Sequence, residues 1–160
     1  MRDILNHCSA IPLEKMADGT VLLAEGQRSG RVYVLVEGSI EVLRGGTQVT
    51  VLHEPGSLIG EISILLDIPH IATARALGDI RVHVIEDGAA YFSTHPGLSW
   101  LLARLLANRL NAATTYLVDL KNQFAGFGDH HEMVSEVLET LIHQQEQDFH
   151  PGSDRDPGLV

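Results

Sequence analysis

Between Thr20 and Leu52 the chain sets short β-branched runs between glycine-marked breaks. Glu25-Gly26 closes one apolar run, the polar turn Gln27 to Gly30 follows, then Val32-Tyr33-Val34-Leu35-Val36, the break Glu37-Gly38, and Ser39-Ile40-Glu41-Val42-Leu43. Runs of this kind, spaced at roughly 8–12 residues, predict the short strands of a sandwich or barrel. Pro55-Gly56 then opens a turn, a short strand, the tripeptide Gly60-Glu61-Ile62, a short apolar segment, a second turn around Asp67 to Pro69 and a β-rich run from His70 to Ala76. Beyond His95-Pro96-Gly97 the period changes. Leu106, Leu110, Ala113, Leu117, Leu120 and Phe124 alternate spacings of four and three, the a/d seam of a coiled coil, within a helix predicted over about 98–124. Trp100, Leu101 and Leu105 are expected to face back on the barrel.

Past the hinge Ala125-Gly126-Phe127-Gly128, Asp129 and Glu132 resemble a capping box. They open a last helix, 129–147, whose apolar face is Met133, Val137, Leu138, Leu141 and Ile142. That helix is expected to fold back on the long one or to meet a protein partner. Residues 151–160, PGSDRDPGLV, have a composition that builds no core and predict a disordered tail. The expected organisation is therefore 1–125 with the long helix included, then 129–147, then the tail.

Charge changes the picture of partners. The chain carries 21 Asp and Glu against 11 Lys and Arg, a formal charge of −10. From Asp129 onward the acids Glu132, Glu136, Glu139, Glu146, Asp148, Asp154 and Asp156 face Arg155 alone. Such a surface repels a duplex, so DNA is not expected as a partner. No run approaches the roughly 20 apolar residues that span a bilayer, and the single cysteine, Cys8, forms no intramolecular disulfide. A cytoplasmic protein with no membrane partner is expected.

The nine histidines are scattered, and the adjacent pair His130-His131 lacks the spacing of three or four that a helical metal pair needs, so no metal site is expected. No triad or nucleophile elbow surrounds Cys8 or the serines, which argues against an enzyme. The segment Pro55 to Ala76 has chemistry of another kind. A glycine lets the backbone approach a sugar-phosphate closely, and the carboxylate of Glu61 can accept from a ribose hydroxyl.

This segment, PGSLIGEISILLDIPHIATARA, closely resembles the phosphate-binding cassette of cyclic nucleotide-binding domains, of the cyclic AMP receptor protein and protein kinase A regulatory-subunit type. The landmarks upstream and downstream match in order, and the resemblance covers about Thr20 to Leu110. It implies a mainly β fold with α, a double-stranded β-helix (jelly-roll) barrel followed by a long C-terminal helix that dimerises; the winged helix-turn-helix that many such transcription factors carry needs more chain than lies beyond the long helix here, so no DNA-binding domain is expected. It also implies a ligand site of Gly60, Glu61, Ile62, Ser63, His70, Ile71 and Ala72, with Arg109, Thr114 or Thr115 near the purine. No cofactor is implied beyond a cyclic nucleotide ligand, and Ile71, with no hydroxyl to offer a guanine, favours cyclic AMP over cyclic GMP.

The chain departs from the family at two positions. His70 stands where the family places its phosphate-pairing arginine, and Ile71 replaces the small residue after it. Histidine lacks the planar fork of arginine and is mostly neutral above pH about 6.5. Losing one charge-assisted bond to phosphate costs about 1.5–3 kcal/mol, roughly 10- to 150-fold in affinity. Arg75, an odd number of residues along a presumed strand, is expected to leave the opposite face. The expected function is a stand-alone nucleotide sensor or regulatory protein; the alternative is a barrel that has lost its nucleotide and serves as a dimeric interaction module.

Overall fold

The computed structural model describes residues 2–125 and 128–143, the latter without the side chains of 128–131, 142 and 143. The chain divides into one compact unit, Met1–Leu105, and a second from Leu106 on. In the first, a short helix α1 (Arg2–Leu5) precedes β1 (Leu13–Met16), β2 (Val21–Leu23), β3 (Val32–Arg44), β4 (Thr47–Leu52), β5 (Leu58–Ile59), α2 (Glu61–Leu66), β6 (Thr73–Ile85) and α3 (Gly88–Thr94). Two long helices follow, α4 (Pro96–Gln123), which runs from the first unit into the second, and α5 (Gly128–His143).

The jelly-roll sheet is antiparallel throughout. Its six strands run β1-β6-β3-β4, with β2 also on β6 and β5 also on β3. The hairpin from β3 to β4 turns on Gly45-Gly46, both at positive φ, as a two-residue turn between twisted strands requires.

The expected break at Glu37-Gly38 is not a turn. Val32–Arg44 is one 13-residue strand whose register against β6 shifts between Leu35 and Glu37 and again between Glu37 and Ser39. Gly38 sits at φ 94, and a Cβ there would lie 2.7 Å from the Asp79 carbonyl oxygen and 2.8 Å from Ile80 Cγ2. The irregularity has a packing purpose. Leu35 and Ile40 are five positions apart and would face opposite sides of a regular strand, yet both lie wholly buried in the same core. With them pack Leu22, Leu23, Tyr33, Ile80, Val82 and Val84, and the small inward residues Ala74 and Ala76.

α3 is capped by Asp87, whose Oδ1 accepts from the Ala90 amide at 3.0 Å. It lies against α2, where Gly88 leaves room for Ile64 Cγ1. α4 begins at Pro96, two residues before the expected start, because proline suits the first helical position. Leu98 and Leu102, one turn apart, are its buried residues. Trp100, expected against the barrel, is instead 68% exposed; two positions from Leu98, it points to the other side of the helix.

Among the described side chains of α5, Val134 and Leu138 are buried, while Met133, expected on the apolar face, is exposed. The Asp129 side chain, the stretch 144–147 and the tail 151–160 fall outside the described residues. Among those described, no helix is long and apolar enough to cross a membrane.

Candidate ligand site

The cassette is built on β5, whose Leu58 and Ile59 pair with Val34 and Tyr33 of β3. Gly60 then turns the chain at φ 100, ψ −8 and stands as N-cap of α2. A Cβ at Gly60 would lie 2.5 Å from the Arg31 carbonyl oxygen and 3.2 Å from Leu23 Cδ1, so the turn is pressed against both the β2–β3 loop and the core. At its other end α2 stops on Asp67, a left-handed residue at φ 51, the one non-glycine residue at positive φ among those described. Asp67 and Ile68 both donate their backbone N–H to the Ser63 carbonyl. The turn expected around Asp67 to Pro69 is therefore present, and Gly60-Glu61-Ile62 opens a helix.

Burial separates this segment from the rest of the sheet. Of the buried polar residues among those described, Ser57, Glu61, Ser63 and His70 all belong to the cassette, and Glu41 is the other. Glu61 is 2% exposed and His70 is 5% exposed. Taking polar groups from water costs stability unless each is paired. Four together in one segment mark a place that the fold maintains for more than packing.

His70 is bound through both ring nitrogens. Nε2 lies 2.8 Å from Ser29 Oγ, and Nδ1 lies 2.7 Å from Ser63 Oγ. The Ser63 hydroxyl donates its one proton to the Gly60 carbonyl at 3.0 Å, so it accepts from His70 Nδ1–H; Nε2 then accepts from Ser29 Oγ–H. The relay Ser29, His70, Ser63, Gly60 is satisfied with the imidazole neutral. Burial pushes the His70 pKa below its ordinary value, in the same direction. The backbone is tied too: His70 N–H donates to Gln27 O and Gly26 N–H donates to His70 O, each at 2.8 Å.

His70 thus precedes the strand instead of lying in it, since β6 begins at Thr73. Counting residues from His70 to Arg75 along one strand therefore does not apply. Arg75 is outside the cassette for a different reason: it pairs with Glu41 across β3 and β6, Nε to Oε1 at 2.6 Å, and holds that carboxyl below the usual range. Ile71 is exposed and Ala72 half-buried. Beside His70 lies a cavity of about 220 Å³ bordered by Arg28, Ser29, Ser63, Asp67, His70 and Ala89.

Gly60, Glu61, Ile62, Ser63, His70, Ile71 and Ala72 are all in the first compact unit. Arg109, Thr114 and Thr115 are on α4 in the second, where the Thr115 hydroxyl donates to the Asn111 carbonyl at 2.9 Å. Sequence reasoning missed Arg28 and Ser29. The polar turn that holds them was legible only as a turn, because the His70 that gives it a role is 41 residues away from Ser29. Among the described residues no three His, Cys, Asp or Glu side chains group to hold a metal ion, and His130 and His131 have no described side chains.

The model of the cyclic nucleotide-binding domain matches residues 13–90, the span from β1 to α3 that contains the whole cassette. Residues 13–90 belong to the cyclic nucleotide-binding domain family. The chain is 26% identical over 124 residues to the HTH-type transcriptional regulator Cmr of Mycobacterium tuberculosis, a match covering 74% of this chain and 50% of that protein. It spans half or less of the length of this and other curated relatives that it matches.

Among solved structures, the N-terminal domain of a transcriptional regulator from Streptomyces coelicolor A3(2) superposes with TM-score 0.52 at 27% identity, covering 71% of this chain and 86% of that one. The regulatory domain of Toxoplasma gondii PKA, co-crystallised with cAMP, superposes with TM-score 0.54 at 19% identity, covering 67% and 48%. At that identity the second likeness speaks for the fold alone. The cyclic nucleotide-binding domain here thus contains the buried Gly60-Glu61 segment, with His70 held between two serines.

Proposed function

We propose that this cyclic nucleotide-binding domain acts as a non-enzymatic sensor or regulatory module, and that its ligand is cyclic AMP in preference to cyclic GMP. The observation that carries this reading is the buried polar cassette on the Gly60 turn, with Glu61 almost wholly enclosed. In this reading Glu61 accepts from a ribose hydroxyl, and the cyclic phosphate lies toward Ser63 and His70. The family to which residues 13–90 belong supports the class of ligand, and Ile71, which has no hydroxyl to offer a guanine, supports the preference. Calorimetric titration should give tighter binding for cyclic AMP than for cyclic GMP; equal or reversed affinities would remove the preference.

One observation favours a second reading, the nucleotide-free interaction module. Both ring nitrogens of His70 are already engaged, so the position of the family's arginine offers no spare donor while the clamp is closed. Under that reading neither nucleotide binds.

Either reading uses the long helix as a dimer seam. Along α4, Leu110 is 49% exposed and Leu106, Leu117 and Leu120 are half-buried, and Phe124 just past its end is exposed, an a/d stripe that a second copy can cover. Leu110→Asp with Leu117→Asp would place unpaired charge at that seam. Sedimentation should show a dimer for the parent and a monomer for the double variant; a monomeric parent, or a dimer that survives both substitutions, would refute the seam.

A further inference from the structure

The neutral His70 leaves open which group meets the charge of a phosphodiester. Among the residues bordering the cavity beside it, Arg28 is the one that carries a positive charge at neutral pH. Its guanidinium is engaged as a fork: Nη1 donates to Asp67 Oδ1 and Nη2 donates to the Asp67 carbonyl, each at 2.8 Å. This is the two-pronged geometry with which arginine also grips a phosphate. The internal partner is weakly held. The Arg28 and Asp67 side chains are 57% and 96% exposed, and pairs so open to water contribute little to stability.

The loop carrying Arg28 is anchored to the cassette on both sides of it. Gly26 and Gln27 bond to the His70 backbone, and Ser29 bonds to the His70 ring. His70 therefore fixes the backbone from which the Arg28 side chain reaches over the cavity.

We propose that Arg28 is the phosphate-pairing cation of this domain, exchanging Asp67 for the cyclic phosphate, and that His70 is a positioning residue. The proposal rests on the nucleotide reading above and assigns its charged contact. An arginine supplied by the β2–β3 loop takes over from the position that His70 occupies, and Asp67 acts as the internal anion that the ligand displaces.

The test is calorimetric titration with cyclic AMP of the parent, Arg28→Gln, Arg28→Lys and Asp67→Asn, each first shown by thermal melting to be folded. Loss of a charge-assisted contact should weaken Arg28→Gln by about 10- to 150-fold, with Arg28→Lys between it and the parent. Asp67→Asn should bind more tightly than the parent, because it removes the competing carboxylate while asparagine still accepts the left-handed backbone. A role confined to holding the loop predicts the opposite for Asp67→Asn, weakening like that of Arg28→Gln. That result, or an Arg28→Gln affinity within twofold of the parent, would overturn the assignment. A parent that binds no cyclic nucleotide would end the nucleotide reading, and this inference with it, by a separate observation.

Discussion

Gly60→Ala is expected to destabilise the domain by about 3 kcal/mol, since an L-residue pays roughly 1–2 kcal/mol for a left-handed backbone and the new methyl adds a clash. The clash is severe because its partner cannot swing away. The added Cβ would stand 2.5 Å from the Arg31 carbonyl oxygen, a backbone atom of the β2–β3 loop, and 3.2 Å from Leu23 Cδ1 in the core. Relief would require β5 and the loop to separate, which breaks the Tyr33–Ile59 and Val34–Leu58 pairing at the base of the cassette. Urea denaturation should show a lower midpoint with an unchanged slope, the pattern of lost stability without a change in the unfolded state. A variant within about 1 kcal/mol of the parent would mean that Gly60 does not hold this turn.

The second large effect falls on binding. Glu61 is enclosed at the first position of α2, beside the Gly60 turn, and a carboxylate is a stronger acceptor for a ribose hydroxyl than a neutral side chain. Glu61→Ala should weaken cyclic AMP by an order of magnitude or more, in line with the roughly 1.5–3 kcal/mol of a hydrogen bond to a charged group. Glu61→Gln keeps shape and an acceptor oxygen while removing the charge, so its affinity should lie between the two. That ordering separates a ligand contact from a packing defect, which would appear in the melting temperature of Glu61→Ala and leave the Gln variant equal to the parent.

The local features of this domain were legible where punctuation and period act alone. The tripeptide Gly60-Glu61-Ile62 that opens α2, the turn at Asp67 and the long helix through Leu106 and Leu120 depend on residues close in sequence, and each lies where the pattern puts it. Glu37-Gly38 misled because a glycine beside an acid reads as a turn. Only the opposite strand shows that the same glycine lets one long strand bend and return Ile40 to the core beside Leu35. Trp100 misled for a different reason: size and apolarity suggest burial, but the helix buries the phase set by Leu98 and Leu102.

The buried Glu61 and His70 and the Gly60 turn lie inside the segment that the cassette pattern marks. The clamp on His70 was not legible there. Its partners come from a loop 41 residues upstream and from one turn inside α2, and no local periodicity links Ser29 to Ser63. The Arg28–Asp67 pair was hidden for the same reason, since its members are 39 residues apart.

We propose that the Gly60-Glu61 cassette, with histidine in the arginine position, receives a cyclic nucleotide. Titration of the purified chain with cyclic AMP by isothermal calorimetry, run beside Glu61→Ala, tests it most directly. The account predicts saturable binding by the parent and an affinity at least tenfold weaker for the variant. A parent that gives no binding heat, or a variant that binds as tightly as the parent, would contradict it.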